Sequence, residues 1–558
     1  MQKVPGGYRY APTDLVEFFD STFAAWMSRF ALDFPDRVQP DPDPSELATL
    51  AEQGQRHEQT LLAQFQTEGR TVYAVPSVGD HLTLTRAAME AGREIIYQAA
   101  LAHGEWGGAA DFLVRVAGTS ALGPYHYEVW DAKLARLARP AFLLQLCCYA
   151  DLLEALQGQR PTRLHLVLGD GQPVPFRTED YFYYYRFLKS AFLTTMRDFD
   201  PAHPPEPDLG GTYGCWTSHA HARLRASDHL SRVATITTEQ ICKLEAAGVQ
   251  TMTALAESTC THVARLDDLV LARLREQARL QLASVTTAHP AYRLLTPDPQ
   301  EPRRGLALLP PASPADVYFD MEGYPLTEEG LEYLFGVTFV EANTPQYQDW
   351  WAHDRVEERQ AFAGWVDWVY ARWQADPTMH IYHYATYEVT AVRKLMGQHG
   401  TCEAEVDALL RNDIFVDLYP IVRQGLCVGT PDYSLKSLER LYRPPRVGDV
   451  ATAGDSMVYY DRWLASGEAR RWQDSSLLRA IRDYNREDCE STWQLTEWLR
   501  ARQGEAGVAW LPRPGKAHPD LTDGEEPTAP KSPQQELAET LLAQIPDSAV
   551  LPPEQAEH

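Results

Sequence analysis

Asp316-Val-Tyr-Phe-Asp-Met-Glu-Gly323 is the stretch on which the reading of this chain turns. Side chains of a strand alternate between its faces, so Val317 and Phe319 are expected in a core while Tyr318, Asp320 and Glu322 share the other face. Two carboxylates are then held side by side. Like charges in such contact raise each other's pKa and disfavour the doubly ionised pair unless a cation sits between the oxygens. A metal site is therefore the economical reading, set against a polar strand face in water.

Downstream elements of the chain extend that reading. Leu331 to Val340 is an apolar strand, and Arg355 to Tyr370 an aromatic-rich helix. Met379-His-Ile-Tyr-His-Tyr-Ala-Thr-Tyr-Glu388 reads as a strand running into a helix start, which places Glu388 where its carboxylate can face the first pair. Asp417 ends the apolar run Ile414-Phe-Val. A last helix from Ser475 to Arg500 carries Leu477, Ile481, Tyr484, Asp488 and Leu495 along one stripe. A carboxylate inside an apolar stripe is costly unless paired or metal-bound, so Asp488 joins the candidate site.

Asp320-x-Glu322, His383-x-x-x-Tyr387-Glu388 and Tyr484-x-x-x-Asp488 resemble, in this order, the ribonuclease-H-like exonucleases of the DEDD class, tyrosine subtype. The resemblance implies a mixed sheet flanked by helices and 3′–5′ trimming of a nucleic acid. It also implies that Asp320, Glu322, Glu388 and Asp488 hold two divalent ions, Mg²⁺ or Mn²⁺, roughly 4 Å apart. Tyr484 would orient the attacking water. Glu388 stands where most of that class has Asp, and Asp417 is an auxiliary carboxylate candidate.

At 558 residues, two or three domains are expected. Apolar content of 44% with 23% charged suits a soluble protein, and no apolar run reaches transmembrane length. The opening Met-Gln-Lys-Val-Pro-Gly-Gly lacks a signal peptide's apolar core, so a cytoplasmic location without membrane partners is expected. Eight cysteines without a Cys-x-x-Cys pair argue against a disulfide framework or a zinc ribbon and for reduced, mostly buried thiols. A net charge of −26 argues against a coat-like nucleic-acid binder, yet leaves room for a nuclease, whose metal site needs carboxylates.

In the N-terminal region, helices are expected from Pro12 through Phe30 and from Pro44 to Glu68. A strand follows over Thr71 to Val78, then Leu82 to Leu101 as a helix with a strand at its end. Asp111-Phe-Leu-Val-Arg-Val-Ala117 and His126-Tyr-Glu-Val-Trp-Asp-Ala-Lys-Leu134 form a hairpin across Ser120-Ala-Leu-Gly-Pro124. Tyr127, Val129, Asp131 and Lys133 share one face of the second strand. Strand-end acids with a lysine are the minimum kit for metal-assisted phosphodiester hydrolysis: the acids hold a metal that activates water, and the lysine steadies developing charge. Gln145 and Tyr149 lie one helical turn apart, on one face.

His57, Asp111, Asp131-Ala-Lys133 and Gln145-x-x-x-Tyr149 together resemble the RecB-type branch of PD-(D/E)XK nucleases. That family implies a restriction-endonuclease-like α/β core, with His57, Asp111 and Asp131 binding metal, Lys133 catalytic, and Gln145 and Tyr149 contacting DNA. Ser21 stands where relatives often carry an iron–sulfur cysteine, and Cys215 is alone between Gly211 and Arg225, so no cluster is expected.

Between the two regions, His229 to Ala256 reads as helix, turn at Gly248, helix, similar to a helix-hairpin-helix repeat. Val233-Ala-Thr-Ile-Thr237 lacks the glycines that let backbone approach a phosphate, so a packing module is expected. Leu266 to Leu282 continues as an amphipathic helix whose Arg265, Arg273, Arg275 and Arg279 suit either solvent or a phosphate backbone. The expected order is an α/β multidomain chain. It comprises a RecB-like domain over 1–227, a helical module over 228–290, a linker over 291–314, a ribonuclease-H-like domain over 315–503 and an acidic, proline-rich tail over 504–558. This order resembles RecB-like nucleases with a fused ribonuclease-H-like exonuclease. Pro514-Gly-Lys516 lacks the preceding glycine of a phosphate loop, so a helicase, if needed, is a separate partner. The tail carries helical periodicity only over Pro533 to Ile545, a segment suited to docking a protein partner. Single-stranded or frayed DNA ends are the expected substrate, with RNA, or an end-binding scaffold with decayed metal sites, as alternatives.

Overall fold

In the computed structural model, Val317–Tyr324 is the central strand of a five-stranded sheet. The order across the sheet is Thr344–Trp351, Leu331–Glu341, Val317–Tyr324, Ile381–His383, Phe415–Asp417. The first three strands are antiparallel, and the last two run parallel to the central one. Val317, Phe319 and Met321 pack with Phe362, Trp365 and Val366 of helix Arg355–Ala375 and with Val392 and Leu395 of helix Tyr387–His399. Tyr318, one step out of phase, packs on the opposite face with Leu495 and Leu499 of helix Ser476–Ala506. Close approach of that helix depends on Gly336, the register partner of Asp320. A Cβ at Gly336 would collide with the Asn485 side chain and come within 2.6 Å of the Tyr347 hydroxyl.

The structure describes residues 1–42, 45–297, 299–327, 329–444, 446 and 452–513. Pro514-Gly-Lys516 and the helix expected over Pro533 to Ile545 lie outside them.

The N-terminal region is built on a six-stranded sheet in the order Val72–Ala74, Ile95–His103, Trp106–Ser120, Gly123–Ala132, Arg163–Val167, Pro173–Arg177. The expected hairpin is its centre. Leu113 and Val129 pack with Leu144 and Leu146 of helix Pro140–Gln157, while Phe112 and Val114 meet Leu61 and Phe65 of helix Ser45–Thr67 on the other side. Helix, sheet and helix thus form three layers.

Several elements differ from expectation. The first helix is two, Pro12–Asp20 and Thr22–Asp33, because Ser21 turns extended and its hydroxyl accepts the Ala24 N–H as a cap. Ser21 also donates to Asp208 at 2.6 Å. The strand at Thr71 shrinks to Val72–Ala74 ahead of Pro76, which has no N–H for a ladder. Leu230–Arg232 is only a 3₁₀ turn; helices follow at Thr238–Ala246, Met252–Glu257 and Asp268–Ala283, with Gly248 at φ +85° making the turn. The proline-rich 291–314 segment is a strap: Tyr292–Leu294 pairs antiparallel with Leu426–Val428, and Leu306 and Leu309 are buried beside Ile421 and Leu495. The last helix runs to Ala506, past the expected boundary at 503, and stops at Gly507 in a left-handed conformation. Of the cysteines, Cys147, Cys148, Cys427 and Cys489 are buried, but Cys242 and Cys260 are exposed. Among the described residues no helix is long and apolar enough to cross a membrane.

The two sheets are joined through Tyr324, at the end of the central strand. Its hydroxyl is bonded to Asp461, which also accepts from Gln53 of helix Ser45–Thr67 at 3.0 Å. An element of the N-terminal region therefore borders the strand that carries Asp320 and Glu322.

Candidate metal centre

Asp320 and Glu322 project from one face of the central strand, and Asp488 reaches them from the middle of helix Ser476–Ala506. One oxygen from each of the three carboxylates lies within 4.8 Å of the other two. Among the described residues this is the one such group of three or more His, Cys, Asp or Glu donors. Burial pushes the Glu322 carboxyl up to about 8, with the Asp488 charge adding to it. Burial also raises Asp320, followed by the charges of Asp488, Glu322 and Glu388. Asp488 is raised by burial although the Arg446 guanidinium, 2.6 Å away, opposes the shift. Three carboxylates so close together, two of them buried and Asp320 half-buried, are best stabilised as anions by a cation among them. An all-oxygen donor set fits a hard divalent ion such as Mg²⁺ or Mn²⁺.

Glu388, at the first turn of helix Tyr387–His399, is near enough for its charge to be felt at Asp320 but stands outside the triplet. Its buried Oε2 is 3.5 Å from His383 Nδ1, and that nitrogen is already bonded to the Ala385 carbonyl at 2.7 Å. Glu388 Oε2 has no hydrogen-bond partner, which suits an acid waiting on an ion. Asp417 also has a structural task. It accepts the N–H groups of Ala385 at 2.9 Å and Tyr419 at 2.8 Å, capping helix Leu418–Gly425 and holding the left-handed turn at Ala385 that leads into Glu388.

Tyr484 lies one turn before Asp488, as expected, and its hydroxyl is bonded to that carboxylate. The Lys436 ammonium donates to the same hydroxyl at 3.0 Å. Asn485 donates to Asp320 Oδ2 at 2.7 Å and accepts from Tyr347 at 2.8 Å, fixing the Asp320 carboxylate. Arg446 holds Glu439 as well as Asp488. Lys436, Arg446 and Asn485 escape a reading of the sequence: the two cations lie in or beside irregular chain without periodicity. Asn485 did leave a signal, an amide following Tyr484 on a packed helix, opposite a glycine in an apolar strand.

Around the triplet lies a cleft of about 760 Å³, with Tyr387, Glu388 and Tyr484 in its wall. Tyr387 is 50% exposed, its hydroxyl bonded to Glu332 at 2.9 Å.

The N-terminal candidates gather less completely. Asp111 Oδ2 accepts the Ala132 N–H at 3.0 Å, and Lys133 Nζ is 2.7 Å from Asp131 Oδ2. Burial pushes Asp111 up to about 8, with the Asp131 charge next in weight and Glu58 contributing. The acid pair and the lysine are thus together. His57, expected as a metal ligand, does not complete a triplet with them; its Nε2 is 3.3 Å from the Val167 carbonyl. Its sequence neighbour Glu58 approaches the pair instead, bonded to Gln98, which takes a left-handed φ of 55°. Gln145 and Tyr149 are hydrogen-bonded to each other on the adjoining helix, and Tyr149 donates to the Ala109 carbonyl at 2.6 Å.

Residues 317–500 match the family model of the RNase H superfamily. The match spans the whole five-stranded sheet and most of the helix that carries Asp488. No curated protein matches the chain.

Proposed function

We propose that the chain is a divalent-metal-dependent nuclease whose principal centre, on the RNase H superfamily domain, removes nucleotides from the 3′ end of a single-stranded or frayed DNA. The observation that carries this reading is the meeting of Asp320, Glu322 and Asp488 within 4.8 Å. Ions held by these residues and Glu388 would supply charge neutralisation at the scissile phosphate and an acidified water.

The chain's own groups prepare the site. Asn485 locks the orientation of Asp320, and Arg446 holds Asp488 Oδ1. The Tyr484 hydroxyl, receiving from Lys436 and bonded to Asp488, is fixed where it orients a water. The exposed ring of Tyr387 in the cleft wall offers a face on which a terminal base stacks, an interaction worth about 1–3 kcal/mol. The second centre is proposed to cut strands through Asp111, Asp131 and Lys133, with Lys133 steadying phosphate charge.

The test is digestion of 5′-labelled and 3′-labelled single-stranded and duplex DNA, and of matched RNA, with Mg²⁺, Mn²⁺ or EDTA. Metal-dependent ladders from the 3′ end that vanish in Asp488→Ala and survive in Lys133→Ala are expected. Absence of hydrolysis with every metal and substrate overturns the reading; hydrolysis of RNA alone replaces DNA as substrate.

A further inference from the structure

The cleft around the carboxylate triplet is not walled by its own domain alone. Arg136 borders it as well, and Arg136 belongs to the loop that follows Lys133 in the N-terminal region. Lys394, from helix Tyr387–His399, borders the same cleft. Both cations converge on Gly330: a Cβ there would sit 3.3 Å from Arg136 Nη2 and 3.8 Å from Lys394 Nζ. A second hollow, lined by Gln53, Arg56 and Gln64, shares Arg136 and Pro325 with the first.

We propose that Arg136 is a phosphate-binding residue of the exonuclease cleft, delivered by the N-terminal region, and that with Lys394 it grips the nucleotide next to the scissile one. The proposal rests on the nuclease reading above. Its physical basis is charge placement. An acidic floor repels every phosphate that lacks an ion of its own, so the phosphates beyond the scissile one need side-chain cations. A guanidinium fork matches the geometry of a phosphate, and a lysine complements it as a point charge. The hollow beyond Arg136 is lined by Arg56, which is ion-paired with Glu52, by Gln53 and Gln64, and by Asp170, so Arg136 and Lys394 are the cations the proposal uses.

The loop also fixes how near the two centres are. Lys133 stands beside Asp131, and the backbone from Lys133 to Arg136 spans at most about 11 Å. A strand gripped by Arg136 therefore passes within a loop's length of the second acidic centre. On this reading the N-terminal region is part of the substrate site of the exonuclease, whatever chemistry it performs itself.

The experiment uses the full chain and a fluorescein-labelled oligothymidylate. Binding is measured over a salt series with Ca²⁺ in place of Mg²⁺, and hydrolysis from the 3′ end is measured with Mg²⁺. Arg136→Ala should lower the slope of log affinity against log salt by about 0.7, the loss of one phosphate contact on a single strand. It should raise Kd and KM about tenfold. Arg136→Lys should keep the slope and recover part of the affinity. A wild-type slope and KM in Arg136→Ala overturn the proposal. So does a fall in kcat with the slope unchanged, which would make Arg136 a brace between the two regions. A wild-type chain that trims no 3′ end would sink the exonuclease reading, while the salt slope still tests Arg136 as a phosphate contact.

Discussion

Asp320 and Glu322 receive a third carboxylate from a distant helix, whereas Asp111 and Asp131 receive an ammonium from Lys133, two residues along the same chain segment. Both pairs begin as acids on neighbouring strand positions or neighbouring strands, and in both burial lifts one member to about 8. The difference lies in where the compensating charge comes from. At the N-terminal pair part of it is built in, so the site tolerates an empty state. At the other, the protein's cations are engaged around the rim, Arg446 on Asp488 and Lys436 on Tyr484, and the three oxygens face one another. Such a cluster demands an external ion more strongly, which is why its geometry is the better guide to function.

The contrast can be broken most sharply at Asp488. Asp488→Asn should lower 3′ trimming about 10²–10³-fold in a labelled-strand assay, by analogy with loss of one preorganised electrostatic group. Lys133→Ala should leave trimming in place; equal loss in both variants would mean that the two centres act as one. Next in size, Asn485→Ala should cost about 10–100-fold in Mn²⁺ affinity or trimming rate, the range for groups that orient a ligand. An unchanged calorimetric Mn²⁺ titration would show that Asp320 holds its orientation unaided. Gly336→Ala should destabilise the chain by about 1–3 kcal/mol in denaturant unfolding, because the helix carrying Asp488 must retreat from the sheet.

A separate effect is a pH dependence shared by both centres. Glu322 and Asp111 titrate near 8 in the fold, far above their ordinary 4.5 and 3.8, so without metal the native state binds protons that the unfolded chain has released. Their contribution to stability is complete below the ordinary values and declines as pH rises toward about 8. In EDTA, unfolding midpoints at about pH 5 and about pH 8.5 should differ in that direction, and Mn²⁺ should reverse the trend while releasing protons. Asp488→Asn should flatten the Glu322 part and Asp131→Asn the Asp111 part.

Much of the RNase-H-like region could be read from sequence because its information is periodic. Val317, Phe319 and Met321 alternate with Asp320 and Glu322, and the stripe on the last helix places Asp488. Glu388 was legible as a nearby acid but not as one standing outside the triplet. Lys436 and Arg446 were not legible, since the helix Leu435–Glu439 that carries Lys436 is too short to show a period and Arg446 lies beyond it in irregular chain. In the N-terminal region the hairpin and the Gln145/Tyr149 face were plain from spacing, yet the helix phase was not: His57 and Glu58 are adjacent, about 100° apart around the helix, and only packing decides which one meets Asp111. The strap over 291–314 misled because its prolines outweighed Leu306 and Leu309, which are buried.

The helix Ser476–Ala506 enters the chain last among the elements described, and Asn485 meets Asp320 across 165 residues of sequence. During synthesis the central strand is made long before its third acid exists. A nascent or truncated chain ending before Ser476 can fold strands and still hold no carboxylate triplet. Closing so long a loop is a late event in folding, so the three-carboxylate cluster is complete only once the last helix has docked on the central strand.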